Sequence, residues 1–216
     1  MITVQPSHYG QGTRRIFQNS IGMNREGEEV FRNTIATHID TVRQLLEKTE
    51  VLATIADAMH TTLRSGGKIL FCGNGGSAAD SQHLAAELVG RFRRERASLP
   101  SIALTTDTSI LTAVANDYGY EFVFSRQLEA LARPGDMLVG ISTSGNSANV
   151  VAALEKAREI GLTTVAFTGK GGGRMARLAD HLLAIDASET ARVQETHILA
   201  GHMLCDWIDL KWMQKE

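Results

Sequence analysis

The chain has 216 residues, enough for one domain with a sizeable core plus an arm. Apolar residues make up 43% and charged residues 21%, which fits a folded globular enzyme and argues against disorder. A formal net charge of −2 gives no global electrostatic reason to bind nucleic acid or a membrane surface.

The two cysteines, Cys72 and Cys205, lie far apart and lack CxxC spacing, so neither a disulfide framework nor an all-Cys zinc site is expected. A reducing cytoplasm suits them. No run approaches the length of a membrane span. Arg14-Arg15 is not followed by an apolar stretch, so no signal peptide or twin-Arg export signal is expected.

In chain order, residues 1–23 are polar, contain glycine and show no period, which predicts a mobile arm or a partner-contacting extension. The remainder, 24–216, is expected to be a single domain. From Glu28 to Arg64 the apolar residues keep helix spacing, first Phe31, Ile35, Ile39, Val42, Leu45 and Leu46, then Val51, Ile55, Met59 and Leu63. Thr49-Glu50 is a candidate break between two helices. Such a stripe must be buried against the domain core or against a second subunit.

Strands and helices then alternate. Strands are predicted at 69–72, 101–104, 137–142, 164–168 and 181–185, and helices at 78–88, 109–116, 122–132, 149–160, 174–179 and 190–212. That order predicts an α/β fold, a three-layer αβα sandwich with a five-stranded parallel sheet preceded by N-terminal helices. Ligands in such sheets gather beyond the carboxyl ends of the strands. The Gly-rich stretch Lys170 to Gly173 lacks P-loop spacing and is expected to be a flexible connection.

Two corners carry candidate chemistry. After the first strand comes Gly73-Asn74-Gly75-Gly76-Ser77, a tight turn with Ser77 as expected N-cap and Asp80 in the first turn of the helix. Backbone N–H groups at that helix N-terminus favour an anion or polyol. His83 and Glu87 follow at a spacing of four and share a helix face. The second corner, Gly140-Ile-Ser142-Thr143-Ser144-Gly-Asn-Ser147, offers four hydroxyls at another helix N-terminus. A lone capping Ser with three turn-formers is the ordinary reading. The density of the run favours a phosphate site.

The last helix carries Gln194 and His202, eight apart and therefore near one face, with His197 offset from it. With His83 and Glu87 they supply two imidazoles, a carboxylate and an amide, a donor set that suits zinc. Glu87 and His202 also form a plausible acid/base pair. Asn116-Asp117 is open to binding hydroxyls or to capping the next element, and Arg91 to facing the site or the solvent. The basic run Arg91 to Arg96 contains Glu95 and reads as a solvated loop.

These segments together resemble a known family. CGNGGSAADSQH, AAELVGR, AVANDYG, GISTSGNS, TGKGGG and RVQETH are similar to motifs of the sugar isomerase (SIS) fold and, within it, of the bacterial phosphoheptose isomerases, over roughly Glu28 to the C-terminus. The resemblance implies a flavodoxin-like SIS domain in a cytoplasmic homotetramer. It implies conversion of sedoheptulose 7-phosphate to D-glycero-D-manno-heptose 7-phosphate, the first step toward nucleotide-activated heptose for lipopolysaccharide core and related glycans.

By position it implies one zinc per subunit on His83, Glu87, Gln194 and His202, with proton transfer by Glu87 and His202. Asn74, Gly75, Gly76, Asn116, Asp117, Ser142, Thr143, Ser144 and Ser147 would surround the phosphorylated seven-carbon sugar, with Ser77 and Arg91 as secondary contacts. Ala191 stands where some members have Asp, so that carboxylate is missing here. A non-catalytic SIS relative binds the bacterial replication initiator and is altered at the positions of Glu87 and His202. This chain keeps both residue types, which favours the enzyme.

Overall fold

A computed structural model describes residues 12–214, with side chains placed from residue 24 onward. Two compact units are present, residues 1–40 and 41–216. Helix α1 (Gly12–Arg43), whose last three residues belong to the second unit, already begins inside the stretch expected to be an aperiodic arm, and residues 1–11 of that arm lie outside the described residues. Val30, Phe31, Ile35 and Ile39 of α1 are exposed.

After the end of α1 the second unit continues with a short 3-10 turn at Gln44–Lys48 and helix α2 (Thr49–Arg64), which starts at the expected break. Then come β1 (Ile69–Gly73), α3 (Gly76–Val89), β2 (Ser101–Ala103), α4 (Thr108–Tyr118), α5 (Ser125–Leu131), β3 (Met137–Ser142), α6 (Ala148–Ile160), β4 (Thr163–Thr168), β5 (His181–Ala184) and α7 (Thr190–Met213). The helix expected from Phe122 starts three residues later, because Tyr120–Phe122 forms a 3-10 turn. The helix expected at 174–179 is likewise a 3-10 turn, Gly173–Arg177.

All strand pairs are parallel, in the order β2-β1-β3-β4-β5. Alternate residues face opposite sides of the sheet. Ile69, Phe71, Met137, Val139 and Phe167 join a core built with α2, α3 and α7. Leu70, Cys72, Leu138 and Ala166 join a second core with α5 and α6. Burial on both faces explains why the central strands read as continuous apolar runs. The chain order reverses between β1 and β3, and an open α/β sheet has its ligand crevice at the carboxyl end of that reversal. The loops after β1 and β3 are the two corners singled out above.

Among the described residues, no helix is long and apolar enough to cross a membrane. Both cysteines are free and buried, and burial pushes each thiol up to about 12, so neither is poised as a nucleophile.

Candidate active site

The first corner is tighter than expected. A Cβ on Gly73 would lie 2.7 Å from the Ser77 carbonyl oxygen, so the strand end and the helix start touch backbone to backbone. Gly75, with φ +56°, is the N-cap of α3. Ser77 is therefore not the cap. It lies inside the helix, buried, and its carbonyl accepts from the Ser81 hydroxyl. The amide of Asn74 does not hang open either. Its Nδ2 donates to Asn149 Oδ1 at 2.8 Å, and Asn149 Nδ2 donates back to Asn74 Oδ1 at 2.9 Å. This reciprocal pair ties the loop after β1 to the start of α6 across the crevice.

Helices α3 and α7 approach closely at Gly201, where a Cβ would fall 2.6 Å from Leu84 Cδ2. A larger residue would have to displace the Leu84 methyls, and the contact sets their chain neighbours His83 and His202 side by side. His83 Nε2 and His202 Nε2 stand 2.9 Å apart, and Glu87 Oε1 is 3.2 Å from His83 Nε2. One donor atom from each of the three lies within 4.8 Å of the other two. Two imidazole nitrogens and a carboxylate oxygen converging on one point is a donor set for a divalent transition metal such as zinc. Phe92 stacks on the His202 ring at 5.2 Å and 19°, which fixes the plane of that imidazole.

Gln194 reaches α3 at Asp80, one turn before His83. Its Nε2 donates to both oxygens of Asp80, at 2.8 and 2.9 Å. Burial pushes the Asp80 carboxyl above the usual carboxylate range, against the opposing pull of the Gln194 hydrogen bond and of His83 and His202. His197 is buried and pushed down to about 4 by that burial. Its Nε2 faces the Thr168 carbonyl at 2.9 Å. A carbonyl only accepts, so this nitrogen carries the proton, and the ring is a neutral structural histidine outside the cluster.

At the second corner, Ser142 Oγ is 2.8 Å from Ser147 Oγ and 3.3 Å from Ser144 Oγ. Ser147 is the N-cap of α6, yet its side chain makes no capping bond. The ordinary reading of a Ser cap is thus not what the structure has: the N–H of Val150, which such a cap would serve, donates instead to the Ser147 backbone carbonyl at 3.1 Å. Thr143 is half-buried and Ser144 exposed.

Behind this loop sits the Gly-rich stretch expected to be flexible. It is instead packed. A Cβ on Gly145 would fall 2.2 Å from the Gly172 carbonyl oxygen, Met175 N donates to Gly145 O, and Arg174 N donates to Asn146 Oδ1. Glycines at 171–173, all with positive φ, let the backbone run flush against the hydroxyl loop.

The part of the chain that holds both corners is similar to known proteins. The SIS-domain family model matches residues 31–169. A phosphoheptose isomerase of Akkermansia muciniphila is 54% identical over 181 residues, covering 84% of this chain and 96% of that protein. One of Roseiflexus is 56% identical over 176 residues, covering 81% and 89%. The solved structure of a phosphoheptose isomerase from Neisseria gonorrhoeae superposes with a TM-score of 0.81 at 47% identity, covering 85% of this chain and 98% of that one. The chain belongs to the phosphoheptose isomerase family of SIS-domain proteins.

For a phosphoheptose isomerase family member the remaining expected residues stand as follows. Gly76 lies under Gln194, where a Cβ would be 3.2 Å from Cδ, so this glycine makes room for the amide. Asn116 and Asp117 are exposed at the end of α4 and hydrogen-bond each other at 2.8 Å. Arg91 is exposed and pairs with Glu95 at 3.3 Å, outside the histidine cluster. The loop that carries it is not simply solvated, because Arg93, Arg94 and Arg96 bind Asp206 and Asp209 of α7. Asp80, Phe92, Asn149 and Gly201 were not expected as site residues. Asp80 alone had a visible signal, a carboxylate one helical turn before His83 on the same α3.

Proposed function

We propose that the protein isomerises sedoheptulose 7-phosphate to D-glycero-D-manno-heptose 7-phosphate, with zinc held by His83, Glu87, His202 and Gln194. The observation that carries this reading is the convergence of His83, Glu87 and His202, in a fold whose second corner is rich in hydroxyls. The residues present fit the metal, since two Nε2 atoms at 2.9 Å face one another with a carboxylate oxygen alongside. When bound, zinc supplies Lewis-acid polarisation of the sugar's carbonyl and hydroxyl oxygens.

The chain's own groups do the rest. An aldose–ketose exchange moves a proton between C1 and C2 through a cis-enediol. Glu87 is the base that removes the carbon-bound proton, and a carboxylate has a second oxygen, Oε2, for that role while Oε1 faces His83. His202, its ring plane set by Phe92, exchanges the proton at oxygen or at the adjacent carbon. Ser142, Thr143, Ser144 and Ser147 receive the phosphate at the N-terminus of α6, with Gly75 and Gly76 leaving backbone close to the sugar.

Support for a homotetramer comes from the exposed apolar face of α1 and from an apolar hollow of about 190 Å³ lined by Leu52, Ala56, Met203 and Trp207. The free cysteines accord with the cytoplasm.

Two measurements test the reading. Elemental analysis of untagged protein should find about one zinc per subunit, and chelation should abolish conversion of sedoheptulose 7-phosphate. Full activity in a metal-free sample would refute the zinc assignment. Replacing Ser144 by Ala should weaken binding of phosphorylated sugars by ~1.5–3 kcal/mol, as expected for a hydrogen bond to a charged group. Unchanged Michaelis and inhibition constants in that variant would place the phosphate elsewhere.

A further inference from the structure

Asp80 has no part in the proton transfers above, yet the residue is buried, 5% exposed, and both its carboxylate oxygens accept from a single atom, Gln194 Nε2. Both oxygens sit as acceptors around that one atom, so the end of the amide that meets the carboxyl group is the nitrogen. This settles the orientation of an amide whose two ends would otherwise be interchangeable. With Nε2 occupied by Asp80, the polar atom of Gln194 left for a ligand is the carbonyl oxygen, a hard donor that suits a divalent metal and that accepts no hydrogen bond among the described residues. Gly76 lies against Cδ and leaves no side chain to push the amide out of this pose. Asp80 itself stands outside the group of three converging donors, so its oxygens serve the amide rather than the metal point.

We propose that Asp80 is a positioning residue. It holds the Gln194 amide so that its oxygen completes the metal site of His83, Glu87 and His202. The inference rests on the zinc reading given above. The logic is that of carboxylates that orient metal-bound side chains from the outer shell, whose removal typically costs ~10–100-fold in metal affinity. Asn at position 80 keeps the size but offers either a donor or an acceptor, so the amide of Gln194 is free to turn.

The test is a double-mutant cycle read by zinc affinity, using competition with a chromophoric chelator on the full chain. Asp80→Asn should bind zinc ~10–100-fold more weakly than wild type. Gln194→Ala should lose at least as much, and adding Asp80→Asn to Gln194→Ala should cost nothing further. A full additional loss in the double variant would show Asp80 acting on the metal directly and would overturn the positioning role, as would wild-type affinity in Asp80→Asn. A wild type that binds no zinc defeats the metal reading and this inference together, whereas a wild type that binds with an indifferent Asp80→Asn defeats this inference alone.

Should Asp80→Asn not fold, the wild type still decides. With glutamine side chains labelled by 15N, the Gln194 amide protons should exchange with solvent far more slowly than those of exposed glutamines. Equally fast exchange would overturn the proposal.

Discussion

Glu87→Gln is expected to lower turnover of sedoheptulose 7-phosphate by ~10²–10⁴-fold, the usual cost of losing a general base. The substitution keeps the size of the side chain and removes its charge, and Glu87 is half-buried at the end of α3, so the fold should be unaffected. His202→Gln should be similarly damaging. The double variant should fall short of the product of the two losses, because both residues serve one reaction. Glu87 also faces His83 at 3.2 Å, so the same change can loosen the metal. Zinc content must therefore be measured beside the rate. Incorporation of solvent deuterium at the carbon next to the carbonyl separates the two effects. Exchange that persists undiminished in zinc-replete Glu87→Gln would show that another group is the base. Absence of any isomerisation by zinc-replete wild type would remove the enzyme reading itself.

Much of the scaffold that holds Glu87 was legible beforehand. The central strands are buried on both faces, so Ile69 to Cys72 and Met137 to Ser142 stand out as apolar runs, and their observed ends differ by no more than a residue. His83 and Glu87 were visible as a pair because helix geometry alone makes i and i+4 neighbours. The start of α3 was misjudged for a local reason. Ser77 has the chemistry of a cap, but Gly75 takes the positive φ that turns the chain, and the helix begins two residues earlier than a serine cap requires.

What was not legible depends on contacts between distant segments. Periodicity places Gln194 and His202 on one face of α7 but is silent about what that face meets. The meeting depends on Gly201 admitting Leu84, a small residue in the middle of a helix whose propensity cost makes sense only once α3 is seen against it. The pairing of Asp80 with Gln194 spans 114 residues and has no pattern of its own. The Gly-rich stretch at 171–173 looked loose because glycine permits many conformations. Its use here is close packing against Gly145. The arginine run looked solvated because its partners, Asp206 and Asp209, lie more than a hundred residues away.

That run supplies the second large effect, expected in stability. Asp209 and Arg96 form an ion pair at 2.7 Å with side chains 0% and 1% exposed. The other Asp209 oxygen accepts from the backbone N–H groups of Arg93 and Arg94 at 2.7 and 2.9 Å. Arg96 in turn donates to the carbonyls of Glu87 and Leu88, and so caps the end of α3 that carries the proposed base. Asp209→Ala leaves a buried guanidinium and two backbone donors uncompensated, which should cost ~3–5 kcal/mol.

The loop between them carries Phe92, so the loss should also loosen the ring against His202 and lower turnover at temperatures where the chain is still folded. Acid should erase the difference. Burial alone would raise the Asp209 carboxyl, but the N–H groups of Arg94 and Arg93 and the Arg96 guanidinium outweigh it and hold it below the usual range. A carboxyl depressed in the folded state contributes stability that is fully present above its unfolded value of ~3.9, and lost as pH falls through the lower folded value. Chemical unfolding of wild type and Asp209→Ala should therefore show a constant gap from pH 6 to 8 that narrows only below about pH 4. A gap under about 1 kcal/mol at pH 7, the size of a solvent-exposed pair, would mean that this clamp does not hold α3 to α7.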